Sequence, residues 1–204
     1  MKKYIDIIAV GGLLLSIFIS NAFSFVRDGQ SLDRLRGSVL RLHILADSDS
    51  EEDQALKLLV RDELLRNSGE IFGDADSLEE AEAAAAEKLP EITALAEKTL
   101  RKNGCTDKVT AEIADVDFDE RVYGDITMPA GTYRALRIKI GKAEGHNWWC
   151  VLYPPLCLPA AREVKDDKEA EEEFFDEKEQ DIIYHPKKYR LRFAIWDKIK
   201  SWLD

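Results

Sequence analysis

The chain has 204 residues, 45% of them hydrophobic, which suits one folded domain with a buried core and excludes wholesale disorder. Its formal net charge is −11 and no strong basic patch is visible, so nucleic acid is not an expected partner.

At the start, Lys2 and Lys3 precede thirteen uncharged residues, Ile7 to Ile19 (IIAVGGLLLSIFI). The small residues of SNAFS follow, and Ser20 with Ala22, or Ala22 with Ser24, fit the spacing before a signal-peptidase cut. The apolar stretch from Ile7 to Val26 is also about long enough to span a bilayer as a helix. Residues 1–26 therefore read as a signal peptide or an N-terminal membrane anchor, with both open. The remainder is expected outside the cytoplasm, secreted or anchored. In such a compartment a disulfide can persist, and the three cysteines Cys105, Cys150 and Cys157 leave one over.

In GSVLRLHILA, Leu40, Leu42 and Ile44 alternate with Arg41, His43 and Leu45, which is strand spacing. The segment DSDSEED then supplies helix-start signals: Ser48, Asp49 or Ser50 as cap, Ser50 with Asp53 at capping-box spacing, and acids at the positive end of the helix dipole. Leu56, Leu59, Val60 and Leu64 form the expected buried stripe, with Lys57, Arg61 and Asp62 outward, and Asn67-Ser68-Gly69 stops the helix. A second helix opens at Ser77 with Glu80. Pro90 ends or kinks it, or starts a third helix closed by Asn103-Gly104.

Strand patterns follow at 108–116, 132–141 and 148–153, the last two predicted as a hairpin across Gly145-His146-Asn147. The acidic run over 162–182 reads as a solvated helix or mobile segment. In the tail, Phe193, Trp196, Ile199 and Leu203 recur at helical spacing. Lys187, Lys188, Arg190, Arg192, Lys198 and Lys200 flank them, which suits a helix docked on its own domain or one lying in a membrane interface. The expected fold is α+β: an N-terminal export or anchor helix, then one compact domain over 37–204 with an antiparallel or mixed sheet of about four strands packed by helices.

The stretch HNWWCVLYPPLCL, His146 to Leu158, gathers the residues most suggestive of chemistry. A cysteine nucleophile needs a base within hydrogen-bond reach, yet in a strand His146 and Cys150 lie about 13 Å apart. His43 is the other candidate base, and a cysteine-dependent hydrolase acting on cell-wall or peptide substrates is the rival reading. The spacing of His146, Cys150 and Cys157 lacks a zinc knuckle's tight pair. Asp47, Asp49 and Asp53 lack the EF-hand glycine and terminal Glu, and helix capping accounts for them. No metal and no cofactor are expected. Cys150 and Cys157 straddle Pro154-Pro155, which can reverse the chain, and a disulfide closing that loop would contribute roughly 2–3 kcal/mol. Two buried reduced thiols are the alternative. Trp148 and Trp149 point to opposite faces of a strand, so one can fill the core while the other is presented to a partner.

Two longer stretches carry a family resemblance. VLRLHILADSDSEEDQALKLLVRDELL (Val39 to Leu65) and YGDITMPAGTYRALRIKIGKAEGHNWWCVLYPPLCL (Tyr123 to Leu158) resemble stage II sporulation protein R of endospore-forming bacteria. The resemblance implies an exported, non-catalytic signalling protein. It would act in the space between forespore and mother-cell membranes, switching on a membrane-embedded aspartic protease that removes the pro-segment of an early mother-cell sigma factor. Because the resemblance concentrates in these two stretches, they are expected to adjoin and to face the receptor. The residues expected to do so are His43, Asp47, Ser48, Asp49, Asp53, Arg61, Asp62, Trp148 and Trp149.

Overall fold

A computed structural model describes residues 2–72, 75, 77–123, 126–153 and 175–203. The fold is α+β, as expected, but the chain divides into two compact units where the sequence suggests one domain over 37–204. One unit comprises 36–120 with 130–167, and the other 1–35, 121–129 and 168–204.

The larger unit is built on a mixed four-stranded sheet. Its strands are β1 (Leu40–Leu45), β2 (Val109–Phe118), β5 (Gly131–Ile140) and β6 (Asn147–Tyr153), in the order β2-β5-β1-β6. β1 runs parallel to β5 and antiparallel to β6. The predicted hairpin between β5 and β6 is therefore not formed, because β1 lies between them. Two observations explain this. All six residues of β1 are buried, the mark of a central strand covered on both faces rather than a half-exposed one. The connection after β5 is also long enough to step over the end of β1, where the Glu144 and Gly145 amides donate to the Asp47 and Ala46 carbonyls at 3.1 and 3.0 Å.

Among the described residues, four helices lie between β1 and β2: α2 (Glu51–Arg66), α3 (Ser68–Phe72), α4 (Leu78–Glu87) and α5 (Leu89–Lys102). The capping signals act where the sequence places them. Ser50 accepts from the Asp53 amide at 3.1 Å and Ser77 from the Glu80 amide at 3.2 Å. Pro90 sits in the first turn of α5, where its missing N–H costs nothing, and Gly104 closes that helix at φ +82°. Leu56, Val60 and Leu64 of α2, with Ile92, Ala96 and Leu100 of α5, cover Leu42, Ile44, Leu136, Ile138 and Cys150 on one face of the sheet. Each fully buried aliphatic side chain there contributes about 1.5–3 kcal/mol.

One detail of α2 reverses the expectation. Leu59 is exposed and Lys57 is buried. Position 57 shares the inward face with 60 and 64, and its ammonium finds acceptors there, the His146 carbonyl at 2.9 Å and Gln54 Oε1 at 2.5 Å.

The smaller unit is organised by α1 (Lys2–Gly37), an unbroken 36-residue helix about 54 Å long. It extends past the 1–26 segment set by hydropathy, and it is long and apolar enough to cross a membrane. From Ile8 to Phe23 its large apolar side chains are exposed, whereas Asp28, Ser31, Leu32 and Leu35 are buried. This second half packs with α6 (Glu177–Tyr184) and α7 (Pro186–Leu203), and α6 lies by the small ribbon of β3 (Arg121–Tyr123) and β4 (Ile126–Met128). Buried Asp28 is held by Lys178 at 2.7 Å and by Arg192. Trp196 of α7 meets Phe25 edge-on and donates to Asp33 at 3.1 Å.

The tail's docked reading thus holds for Tyr189, Phe193 and Trp196, while Leu191, Ile195, Trp202 and Leu203 remain exposed. Of the acidic run, 162–174 lies outside the described residues. Its continuation forms α6, where Asp176 and Glu179 make a capping box and Glu179 is buried.

Candidate functional site

The two family-like stretches meet along the β1–β6 ladder, where Leu42 pairs with Cys150, His43 with Trp149 and Ile44 with Trp148. Side chains alternate across the sheet, so this ladder presents two different surfaces.

On the helix-covered face stand Cys150 and Trp148. Trp148 is half-buried against the core, and the guanidinium of Arg61 from α2 lies 5.1 Å from its ring centroid, within cation–π range. Arg61 also pairs with Asp62 at 2.6 Å. At the edge of this cluster the acidic turn after β1 fastens the loop that follows β5. Asp47 accepts from the Lys142 amide at 2.6 Å, and Asp49 accepts from the His146 amide at 2.5 Å while also meeting the His146 ring. Gly141 adopts φ +56°, and a Cβ there would lie 2.1 Å from Asp47 Oδ1, so the approach requires glycine. Ser48 donates to the Asp53 carboxylate. These bonds hold two carboxyls below their usual range: the His146 amide is the main cause for Asp49, the Ser48 hydroxyl for Asp53. The acids that superficially suggest a cation site thus spend oxygens on local donors.

On the opposite face, His43 lies 3% exposed between aromatic rings. Its ring stacks on Trp149 with centroids 4.4 Å apart and planes 10° off parallel, and Phe118 closes the cluster at 5.8 Å. Burial, then the positive charges of Arg137, Arg41 and Lys139, lower its pKa to about 4, with the Asn147 side chain opposing. Arg41, fully buried beside it, lies 3.9 Å over the Phe118 ring and 4.9 Å from that of Tyr133. Lys139 pairs with Glu112 at 2.6 Å, which holds that carboxyl down.

This arrangement decides the nucleophile–base question for the described residues. Cys150 and His43 project to opposite faces of the sheet, so the backbone layer separates them. Cys150 is 4% exposed, and His146 at the other end of the strand engages Asp49 instead. Cys157 lies outside the described residues, and Cys105 is a free thiol.

Of the residues singled out from sequence, Arg61, Asp62 and Trp148 form one group and Asp47, Ser48, Asp49 and Asp53 an adjoining one, all beside α2. His43 and Trp149 form a separate group across the sheet. Sequence reasoning missed Arg41, Lys57 and Phe118. Lys57 reads as an ordinary outward charge, and the only local hint for Arg41 is its place in a six-residue strand otherwise made of Leu, Ile and His.

A family model described as stage II sporulation protein R matches residues 36–163. Stage II sporulation protein R of Bacillus subtilis (strain 168) is 40% identical over 136 residues, covering 64% of this chain and 61% of that protein. The match thus spans about three fifths of the relative's length. No solved structure matches the chain.

Proposed function

The chain belongs to the stage II sporulation protein R family, and from that premise we propose that it is an exported signalling ligand rather than a catalyst. In this reading its larger unit binds and activates a membrane-embedded aspartic protease of the mother cell, which then removes the pro-segment of an early mother-cell sigma factor. The apolar half of α1 carries the protein out of the cytoplasm, and is afterwards either cleaved or kept as an anchor. The observation that supports a binding role most is the separation of Cys150 from His43 by the sheet. Among the described residues, those best placed for hydrolytic chemistry are not assembled, while Trp148, Arg61 and Asp62 share one surface with the clamped acidic turn. That surface is the proposed contact with the protease. Partly covered aromatic and arginine side chains are the usual anchors of such interfaces.

The test is reconstitution of the purified chain with the protease and its pro-sigma substrate in vesicles. A folded Trp148→Ala variant should lose at least about tenfold in activation, a loss of roughly 1.4 kcal/mol in binding. Wild-type activation by this variant would remove the proposed surface. We further propose that Cys150 pairs with Cys157 in the exported protein. Alkylation with and without reductant should then differ by two thiols in intact mass, and equal masses would exclude the pair.

A further inference from the structure

The smaller unit carries a feature that the protease-activating role does not use. α7 runs parallel to the second half of α1: Arg192 reaches Ser24 and Asp28, the Trp196 ring lies against Gly29, and Lys200 reaches Asp33 at 3.2 Å. The offset between the two helices is nearly constant along these contacts. At about 1.5 Å per residue, Lys187 lies about 7 Å below the Arg192–Ser24 contact, level with the stretch from Ser20 to Ser24. That is where α1 changes character. Immediately before it Leu13, Leu14, Leu15, Ile17, Phe18 and Ile19 are all exposed and apolar, and immediately after it Asp28 is buried in ion pairs.

We infer that the smaller unit sits directly on an anionic bilayer surface, with the first turn of α7 in the headgroup layer beside the point where α1 leaves the hydrocarbon. Charge supports this choice of occupant. In a chain of net charge −11, α7 holds six basic residues and one acidic one, Asp197. Lys187 and Lys188 are exposed at this level, with Lys188 also paired to Asp181 at 2.7 Å, and Arg27 is exposed one to two turns further along α1. Leu191, 75% exposed and one turn further along, is the apolar side chain placed to enter the interface. Each cation at an anionic membrane surface strengthens association by about fivefold. Lysines at this depth can keep their ammonium among the headgroups while their stems lie along apolar surface. The far end of α7, with Trp202 and Leu203, points away from the membrane in this arrangement.

The inference rests on the export reading in its anchored form, the form in which Ser24 and Phe25 keep their contacts with α7. The experiment separates the two. A benzophenone side chain is introduced in place of Leu14, Leu191 or Leu203 in the full chain. The chain is then reconstituted in phosphatidylcholine vesicles with and without phosphatidylglycerol, and lipid adducts are read by mass. Adducts are expected at Leu14 in both membranes, at Leu191 with an increase of about fivefold or more on adding phosphatidylglycerol, and not at Leu203. Combining Lys187→Glu with Arg27→Glu should abolish that increase while leaving the Leu14 adduct and the circular dichroism unchanged. No adduct at Leu14 overturns the anchored reading itself. With Leu14 labelled, the headgroup contact is overturned by no lipid at Leu191, by equal labelling at Leu203, or by cross-linking of Leu191 to a second copy of the chain.

Discussion

Replacing His43 with phenylalanine should remove much of the acid sensitivity of the larger unit while keeping its fold. The imidazole is buried, stacked on Trp149 and bordered by Phe118, and neither ring nitrogen has a hydrogen-bond partner of normal geometry. Its pKa lies near 4 against 6.5 for an ordinary histidine. The folded pKa is depressed, so the unfolded chain takes up a proton first as pH falls. Stability is full above about pH 6.5, declines by up to about 1.4 kcal/mol per unit between about 6.5 and 4, and then levels off. The total is at most about 3 kcal/mol, a sizeable part of a domain's stability. Phenylalanine keeps the stacked ring and volume and cannot titrate, so His43→Phe should be near neutral at pH 7 and better than wild type at pH 4.5. Urea unfolding followed by tryptophan fluorescence across this range reads both. Parallel stability–pH curves for the two proteins would refute the placement of His43 as a neutral core ring.

Two further substitutions probe particular contacts. Gly29→Ala puts a Cβ 2.2 Å from the Trp196 ring, so α7 must shift. After a helix-propensity gain of about 1 kcal/mol, a net loss of roughly 1 kcal/mol or more is expected in thermal unfolding, and a stabilised variant would rule out this helix contact. Lys57→Met removes the charged donor that the buried Lys57 gives to the His146 carbonyl and should cost about 1–3 kcal/mol in urea unfolding. An unchanged midpoint would mean that Lys57 does not tie α2 to the loop.

Much of the fold was legible because its signals are local. Ser50, Ser77, Pro90 and Gly104 set helix ends through hydrogen bonds and φ values that depend on near neighbours. The β1 pairing was not legible, because the choice between a β5–β6 hairpin and an inserted β1 is made by burial on both faces of Leu40–Leu45. That burial depends on elements distant in sequence. Arg41 and His43 gave the strand an amphipathic look, yet both are buried through contacts with Phe118, Tyr133 and Trp149, which arrive from three other strands. Lys57 misled for the same reason, since its acceptor is a carbonyl 89 positions away. At the candidate site the expectation was that the two family-like stretches adjoin, and they meet along the β1–β6 ladder. The sequence could not tell that His43 and Cys150 would fall on opposite faces, which depends on the register pairing Leu42 with Cys150.

The central claim is that the protein signals by binding and not by cysteine chemistry. The most direct measurement adds purified wild-type chain, or a folded Cys150→Ser variant, to vesicles holding the protease and its pro-sigma substrate, and follows pro-segment removal. Processing should depend on the added chain and proceed at a similar rate with Cys150→Ser. Processing that stops with the folded Cys150→Ser variant, or that proceeds equally with no chain added, would contradict the claim.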